Sequence, residues 1–251
     1  MIKTREIYCQ LGRTNVLAGL NLEIKRGDYW LIIGPNGAGK TSLLQALCGI
    51  LPLSGGEILL EGRTLASCSR REIAGRIAFL PQFSDFPLPL SVEQIVLAGR
   101  YPHRPLFADY NRQDRDRCSE ALEEFGLGSL ASREMSTLSS GEQKKALLAS
   151  ALVQDVDLIM LDEPLTFLDP LAISQLISRL ASLRKSGKTI LLVSHRLELF
   201  YNQASHILAL SSGSSLYAGP SGYLPELFQR TLQVDYRPLN ADPSAGLRLD
   251  V

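Results

Sequence analysis

A glycine-rich segment at residues 34–41 constrains the fold of this chain more than any other feature. It reads Gly-Pro-Asn-Gly-Ala-Gly-Lys-Thr and matches the pattern G-x-x-x-x-G-K-S/T at every fixed position. An apolar run of strand length, Tyr29–Ile33, precedes it, and residues typical of a helix follow it. A strand, a glycine-rich loop and a helix in this order predict a phosphate-binding loop. The alternative is an ordinary glycine-rich turn before a core helix, which the full match and both flanking elements disfavour.

The residue types in this loop suit the binding of phosphate. Glycines let the backbone turn tightly so that its N–H groups face phosphate oxygens, and the following helix adds its positive N-terminal end. Lys40 is long enough to reach the β- and γ-phosphates, and Thr41 offers a hydroxyl group to Mg²⁺. The predicted nucleotide-binding residues are therefore Gly34, Pro35, Asn36, Gly37, Ala38, Gly39, Lys40, Thr41 and Ser42.

Length, charge and cysteine content permit a cytosolic enzyme subunit. The 251 residues suffice for a large core in one domain, and 26 basic residues balance 26 acidic ones. This balance gives no overall attraction to nucleic acid or to an anionic membrane, so no nucleic-acid partner is expected. Four cysteines lack the spacing of metal ligands and are expected to be free thiols in a reducing compartment: Cys9, Cys48, Cys68 and Cys118.

The sequence also lacks the signals of a membrane protein. Its first residues contain no apolar signal-peptide core. No apolar run approaches the ~18 residues of a membrane span. We therefore expect any membrane role to depend on a partner.

Alternating strands and helices predict an α/β fold with a mainly parallel sheet. Strands are expected at residues 2–8, 16–24, 29–33, 57–60, 77–80, 157–161, 189–193 and 207–210, and helices at 171–184 and 197–203. The early strands predict an antiparallel β subdomain, and helical spacing between about 91 and 150 predicts an inserted helical subdomain. We expect one domain over residues 1–251, with core parts at 1–90 and 151–240 and a polar tail at 241–251.

A second candidate site lies at the end of an apolar run, where Asp162 and Glu163 follow residues 158–161. Asp162 is suited to hold Mg²⁺, directly or through water, and Glu163 to polarise a water molecule for attack on a γ-phosphate. Alone, an apolar run followed by Asp-Glu is more typical of a simple strand-end turn. Downstream of a phosphate-binding loop, the catalytic interpretation is favoured.

The segment Leu-Ser-Ser-Gly-Glu at residues 138–142 indicates a family. Together with the phosphate-binding loop and Asp162-Glu163, it resembles the signature of the ATP-binding cassette (ABC) ATPases, although Ser140 replaces a glycine. A plain capping box, Ser139-x-x-Glu142, is the alternative, and both interpretations are compatible. The resemblance implies a P-loop ATPase fold in which ATP is buried between two subunits. It also implies a signature that faces the ATP of the other subunit, formed by Ser139, Ser140, Gly141 and Glu142.

Three further motifs follow the order of that family. The resemblance implies that Gln82 contacts Mg²⁺ and the attacking water, that Asp169 belongs to the D-loop, and that His195 senses the γ-phosphate. Each has a simpler alternative, respectively a polar strand end, a helix N-cap and a structural histidine. The implied catalytic residues are Glu163, His195 and Gln82, and the implied Mg²⁺ ligands are Thr41, Gln82 and Asp162.

Two features distinguish the chain within the family. Leu11 stands where an aromatic residue normally stacks on adenine, and Tyr8 is expected to face the other way. Residues 97–103, Leu-Ala-Gly-Arg-Tyr-Pro-His, resemble a segment of the ATPases that drive importers of iron–siderophore, haem and cobalamin chelates. The short C-terminal segment at residues 219–234 resembles the same group.

The resemblance as a whole implies an ATP-hydrolysing subunit that energises uptake of a metal chelate. Its implied partners are a second copy of this chain, two transmembrane permease subunits and a substrate-binding protein, at the cytoplasmic face of the cell membrane. Three alternatives stay open: the ATPase of another transporter, including an exporter; a soluble ABC ATPase acting on nucleic acid or ribosomes; and a regulatory nucleotide-binding protein without turnover. The single cassette and zero net charge argue against the second, and Glu163 and His195 argue against the third.

Overall fold

The structure is a computed structural model that describes residues 1–82, 89–104, 108–223, 236–237 and 248–249. In this part of the chain the strands are β1 (Ile2–Leu11), β2 (Thr14–Ile24), β3 (Tyr29–Ile33), β4 (Gly55–Leu60), β5 (Arg63–Thr64), β6 (Ile77–Leu80), β7 (Leu158–Asp162), β8 (Thr189–Val193), β9 (His206–Ser211), β10 (Ser214–Pro220), β11 (Tyr236–Arg237) and β12 (Arg248–Leu249). The α-helices are α1 (Lys40–Leu47), α2 (Arg70–Ala74), α3 (Val92–Ala98), α4 (Arg112–Glu124), α5 (Ser140–Val153) and α6 (Pro170–Lys185).

A six-stranded sheet forms the centre of the core, in the order β10-β9-β3-β8-β7-β6. The strands from β9 to β6 run parallel, and β10 pairs antiparallel with β9 at one edge. Strands β3, β7 and β8 are buried at every residue because hydrophobic clusters cover both faces of the sheet. The mainly parallel sheet expected from the sequence is confirmed, and its C-terminal strand ends share one edge, where ligands bind in α/β folds.

A second sheet, in the order β2-β1-β4-β5, is antiparallel throughout. Its buried side chains share one hydrophobic cluster with α1 and with alternate residues of β3, so this sheet packs against the core. The pairing of β1 is irregular near Glu6, whose φ is 42°. This sheet is the antiparallel β subdomain that the sequence predicts.

Helices α3, α4 and α5 pack on one another and form the helical part of the molecule. Their buried side chains join the hydrophobic cluster that covers the other face of the core sheet. α5 begins earlier than its apolar residues alone indicate, because a capping box at Ser139 starts it. Among the described residues, no helix combines the length and the apolar character needed to cross a membrane.

Two expectations from the sequence need correction. Residues 197–203 do not form an α-helix but two single 3-10 turns, Leu197–Leu199 and Tyr201–Gln203. Arg196 offers no side-chain cap there, and so short a segment does not offset the cost of helix nucleation. Strand β10 and helix α2 were not expected. The Ser, Gly and Pro residues of β10 have low strand propensity, and an edge position tolerates them.

The expected polar tail lies almost wholly outside the described residues. Within residues 241–251, only Arg248–Leu249 is described, and it pairs antiparallel with Tyr236–Arg237. Of the segment at 219–234, the part from 224 onward lies outside the described residues.

Candidate functional site

The phosphate-binding loop joins β3 to α1 at the C-terminal edge of the core sheet. Gly34 has a φ of 148°, and Gly39 has a φ of 96°. A Cβ atom at Gly34 would lie 2.3 Å from the carbonyl oxygen of Leu210, and one at Gly39 would lie 2.4 Å from that of Val16. Both positions therefore require glycine, for backbone conformation and for space.

The loop lines one side of an open cleft of about 300 Å³, where most of the predicted site residues meet. The cleft is lined by Leu11, Val16, Asn36, Gly37, Ala38, Gly39, Lys40, Thr41, Ser42, Gln82, Asp162, Glu163, Val193 and His195. Gly34 and Pro35 do not line the cleft. Their carbonyl groups instead hold the side chain of Lys40.

Lys40 is buried at the start of α1, and its side chain turns back on its own loop. Its Nζ donates to the carbonyl oxygen of Gly34 at 2.7 Å and to that of Pro35 at 2.9 Å. Burial lowers the pKa of Lys40, and the nearby Glu163 and Asp162 carboxylates oppose this shift. The ammonium group therefore lies inside the loop that would surround a phosphate.

Thr41 and Asp162 form a candidate metal site. Thr41 Oγ1 donates to Asp162 Oδ2 at 2.6 Å, which joins the first turn of α1 to the end of β7. The Asp162 side chain is fully buried, and its Oδ1 has no hydrogen-bond partner among the described residues. Burial raises the pKa of Asp162, and the hydrogen bond from Thr41 opposes this shift. An unpaired buried carboxylate oxygen beside a hydroxyl group fits Mg²⁺, which prefers oxygen ligands and shares them with phosphate and water.

Glu163 and His195 follow the adjacent strands β7 and β8. Glu163 has a φ of 46°, in the left-handed region. Its Oε2 accepts the backbone N–H of His195 at 3.3 Å. Its Oε1 lies 3.3 Å from His195 Nε2 but makes no hydrogen bond within the described residues. Burial raises the pKa of Glu163, and His195 opposes this shift. A carboxylate in this state can accept a proton from water.

Leu11 and Val16, at the facing ends of β1 and β2, line the cleft beside the phosphate-binding loop. Leu11 is exposed and free to contact a ligand. Tyr8 does not line the cleft, because its ring lies against Gly55 and Gly19. Leu11, rather than Tyr8, is therefore the candidate contact for a nucleotide base.

The signature residues lie at the N-terminus of α5, outside the cleft. The backbone N–H and the hydroxyl of Ser139 donate to Glu142 Oε2 at 2.8 Å and 2.6 Å, and the Glu142 N–H donates to Ser139 Oγ at 3.4 Å. These bonds lower the pKa of Glu142. Ser139 and Ser140 are exposed, and Gly141 packs so closely that its Cβ would lie 2.8 Å from the Phe167 carbonyl oxygen. Within one chain, these residues are not brought to the phosphate-binding loop.

Asp169 caps α6 and also contacts α5. Its Oδ1 accepts the N–H of Ala172 at 2.8 Å, and its Oδ2 accepts from Lys145 Nζ at 2.7 Å. The hydrogen bond from Lys145 lowers the pKa of Asp169. The predicted D-loop residue therefore lies outside the cleft and is joined to the signature helix.

Lys144 is a residue of the site that sequence reasoning missed. It lies on α5, is only 4% exposed, and holds its Nζ 3.4 Å from the carbonyl oxygens of both Pro81 and Gln82. Burial lowers the pKa of Lys144 to about 8, and the Asp162 and Glu163 carboxylates oppose this shift. The signature helix and Gln82 of the same chain are therefore in direct contact.

The sequence carries a signal for this burial. Lys144, Leu148 and Ala151 have the spacing i, i+4 and i+7 of one helical face, and all three are buried. A lysine on an apolar face needs a polar partner, which here is the backbone before and at Gln82.

The fold and the cleft define the class of protein. A phosphate-binding loop that faces strand-end carboxylates, on a mainly parallel sheet, is the arrangement of a P-loop ATPase. A family model described as ABC transporter matches residues 17–166. This chain belongs to the ABC transporter family and is an ATPase of that family.

Individual relatives cover most or all of the chain. It is 34% identical to the ferric enterobactin transport ATP-binding protein FepC of Escherichia coli strain K12, over 100% of this chain and 93% of that protein. It is 37% identical to the hemin import ATP-binding protein HmuV of Pseudomonas entomophila strain L48, over 86% of this chain and 85% of that protein. A bacterial ABC transporter cassette solved as a dimer has a TM-score of 0.78 at 25% identity, covering 88% of this chain and 99% of that chain.

Proposed function

We propose that this chain is the ATP-hydrolysing subunit of an importer of metal chelates, of the iron–siderophore, haem or cobalamin type. The observation that carries the proposal is similarity along the whole chain to a ferric enterobactin transport subunit. Similarity to a hemin import subunit supports the same substrate class. The cleft supports hydrolysis, because it gathers the loop, the two carboxylates and His195 in one place.

ATP binding is assigned to the loop and to the first turn of α1. Backbone N–H groups of the loop residues other than Pro35 and the Lys40 ammonium group hold the phosphates. Thr41, Asp162 and Gln82 hold Mg²⁺, which when bound neutralises charge on the phosphate oxygens. The unpaired Oδ1 of Asp162 supports this assignment, because it is a buried acceptor that lacks a protein donor among the described residues.

Hydrolysis is assigned to Glu163 and His195. Glu163 accepts a proton from the water that attacks the γ-phosphate, and the raised pKa of this buried carboxylate makes it a stronger base. The backbone N–H of His195 orients Glu163, and its half-exposed ring can reach the γ-phosphate and stabilise developing charge. Gln82, which lines the same cleft, contacts the attacking water.

A complete site in this proposal needs a second copy of the chain. Ser139 and Ser140 are exposed at the start of a helix and lie outside their own cleft. Donors at a helix N-terminus suit the γ-phosphate of an ATP held by a partner. The similar cassette that was solved as a dimer supports this assembly. ATP then favours the closed dimer, and hydrolysis removes that preference.

The membrane partners in this proposal are two transmembrane permease subunits and a substrate-binding protein. The names of two relatives, a transport and an import ATP-binding protein, support a role in transport, which requires a membrane partner. The chain would act at the cytoplasmic face of the cell membrane, held there by the permease subunits. Specificity for the chelate would then lie in those partners rather than in this chain.

Copurification followed by an uptake assay tests the proposal. The tagged chain should copurify with a polytopic membrane protein, and cells carrying the complex should take up a ferric siderophore or haem at the expense of ATP. Glu163→Gln is the matched control, which should copurify equally well and support no uptake. Copurification with ribosomes or nucleic acid, and with no membrane protein, would contradict import and favour a soluble ABC ATPase.

A further inference from the structure

The segment at residues 97–103 lies away from the cleft, and ATP binding does not explain it. It ends α3 and continues into a single 3-10 turn, Tyr101–His103. None of its residues lines the cleft in the described part of the chain. Two of its side chains contact the C-terminal end of α5, the helix whose other end carries the signature.

Arg100 joins three helices at this point. It is buried, its Nε donates to Asp114 Oδ1 at 3.0 Å, and its Nη1 donates to the carbonyl oxygen of Val153 at 2.9 Å. Asp114 is also buried, and its Oδ2 accepts the Asn111 N–H at 3.3 Å in the capping box of α4. One guanidinium group therefore connects the end of α3, the start of α4 and the last turn of α5.

His103 and Gln154 extend this connection into the core. His103 Nε2 donates to the carbonyl oxygen of Gln154 at 2.6 Å. The side chain of Gln154 donates to the carbonyl oxygen of Ile77 in β6 at 2.9 Å and to that of Ala74 in α2. The C-terminal end of α5 is thus held by the 97–103 segment on one side and by the core on the other.

Gly99 brings the backbones of α3 and α5 together. A Cβ atom at Gly99 would lie 2.1 Å from the carbonyl oxygen of Ser150. Ser150 Oγ in turn donates to the carbonyl oxygen of Ile95 at 2.8 Å. The backbones of α3 and α5 are therefore in direct contact at Gly99, with no side chain between them.

Because α5 is a single helix, a change in the direction of its C-terminal end also moves the signature at its N-terminal end. The helix has 14 residues, which at 1.5 Å per residue gives a length of about 21 Å. A tilt of about 5° at its C-terminal end therefore moves the signature by about 2 Å. Misplacing a reacting group by about 1 Å can cost about 100-fold in rate. Contacts far from ATP can in this way control the chemistry at the signature.

We propose that Arg100 is a positioning residue for the signature. With Asp114, His103 and Gln154 it forms a clamp that fixes the angle at which α5 leaves the core, and hence where Ser139 meets the nucleotide of the partner chain. The proposal rests on the proposed function, because it requires the signature of one chain to face ATP held by another. It assigns the 97–103 segment to the geometry of the ATPase rather than to contact with the transported molecule.

Disulfide cross-linking across the dimer measures the position of the signature directly. Asn36→Cys in the loop and Ser140→Cys in the signature introduce exposed thiols, in a Cys68→Ser background because the other native cysteines are buried. With Mg²⁺ and a non-hydrolysable ATP analogue, this reference protein should form a cross-linked dimer. Adding Arg100→Met should lower the yield by at least about fivefold, because the signature is displaced.

Arg112→Met is the matched control, because Arg112 is an exposed arginine on α4 outside the clamp. It should leave the cross-linking yield unchanged. Equal yields from Arg100→Met and the reference would overturn the clamp while leaving the dimer intact. No nucleotide-dependent cross-link in a reference protein that still binds the ATP analogue would overturn the dimer itself, and the clamp with it.

Kinetics on the uncross-linked protein separate positioning from general damage. Arg100→Met should lower kcat by about tenfold and change the KM for ATP by less than about twofold, with Arg100→Lys between that variant and wild type. If Arg100→Met does not fold, His103→Ala replaces it, because His103 is exposed and only its contact with Gln154 is removed. Weaker ATP binding to the isolated chain, equal to the loss in kcat, would overturn a positioning role.

Discussion

The cleft and the signature end of α5 differ in how their polar groups are hydrogen-bonded. In the cleft, Asp162 Oδ1 and Glu163 Oε1 are buried acceptors without a hydrogen-bond partner among the described residues. At the signature, Ser139 and Glu142 satisfy each other through three hydrogen bonds and are open to solvent on one side. The cleft therefore offers free acceptor oxygens to a ligand. The signature residues are already hydrogen-bonded to each other, and a partner chain must replace those bonds.

The backbone and hydrogen-bonding energies of the two regions differ in sign. A buried unsatisfied acceptor costs about 1–3 kcal/mol. A left-handed backbone at a non-glycine residue, such as Glu163, costs about the same. A capping box such as that of Ser139 contributes about 1 kcal/mol to its helix. The left-handed backbone of Glu163 thus lowers the stability of the protein, and the capping box at Ser139 raises it, so substitutions at the two positions should change stability in opposite directions.

The largest effect is expected from Glu163→Gln in the cleft. Hydrolysis should fall at least about 100-fold because the variant lacks the carboxylate that accepts a proton from water. ATP binding should persist, and an ATP-bound dimer should accumulate and be visible by size-exclusion chromatography. Lys40→Ala, measured alongside, should instead weaken binding, since it removes the cation that faces phosphate. Near-normal turnover by Glu163→Gln would assign the base to another residue.

Ser139→Arg tests the signature and should lower hydrolysis by at least about tenfold, since a long cation would clash with the partner's nucleotide. ATP binding to the isolated chain should not change. Mixing this variant with Lys40→Ala gives mixed dimers in which one site carries both lesions and the other neither. Activity should therefore return on mixing. Equal loss of ATP binding by both separate variants would show that Ser139 acts on the ATP of its own chain.

Leu11→Tyr tests the base-facing end of the cleft. An aromatic ring at this position should tighten ATP binding by up to about 1 kcal/mol, the size of one aromatic contact. The native chain should discriminate only modestly between ATP and GTP, as measured by competition for a fluorescent nucleotide. Tyr8→Ala is the control and should have no effect, because Tyr8 does not line the cleft. A strong ATP preference that Tyr8→Ala abolished would contradict this assignment.

The smallest effect concerns Lys144, which links the two regions. The pKa of lysine is about 10.4 in an unfolded chain, and burial lowers the pKa of folded Lys144 to about 8. Between these values the unfolded state binds more protons, so the free energy of unfolding rises with pH. Lys144→Met has no buried ammonium group to keep charged, so it should be the more stable protein near pH 7. Its advantage should shrink from pH 8 to 10, because the folded lysine loses its proton over that range.

Urea unfolding of both proteins across that pH range, without nucleotide, measures the difference. Parallel pH profiles for wild type and Lys144→Met would contradict a buried, charged lysine near neutral pH. Hydrolysis by Lys144→Met should fall although its stability rises, because the contact between α5 and the Gln82 backbone is lost.

The sequence predicts those parts of the molecule that are formed by residues close together along the chain. The loop at residues 34–41 and the Asp162-Glu163 strand end depend on neighbouring residues, and the structure places residues 36–41 and both carboxylates on one cleft. Other features depend on contacts between distant residues. Arg100 meets Asp114 and Val153, which are 14 and 53 positions away, and no spacing in the sequence encodes either contact. Strand β10 depends on an edge that only the folded sheet provides.

The left-handed backbone of Glu163 has a consequence for directed evolution. Glycine and asparagine adopt this conformation more readily than glutamate does. A library randomised at this codon and screened only for soluble yield should therefore enrich glycine and asparagine, and lose hydrolysis as it gains yield. Selection for soluble yield and selection for ATP hydrolysis therefore favour different residues at this position, and a useful screen must measure both.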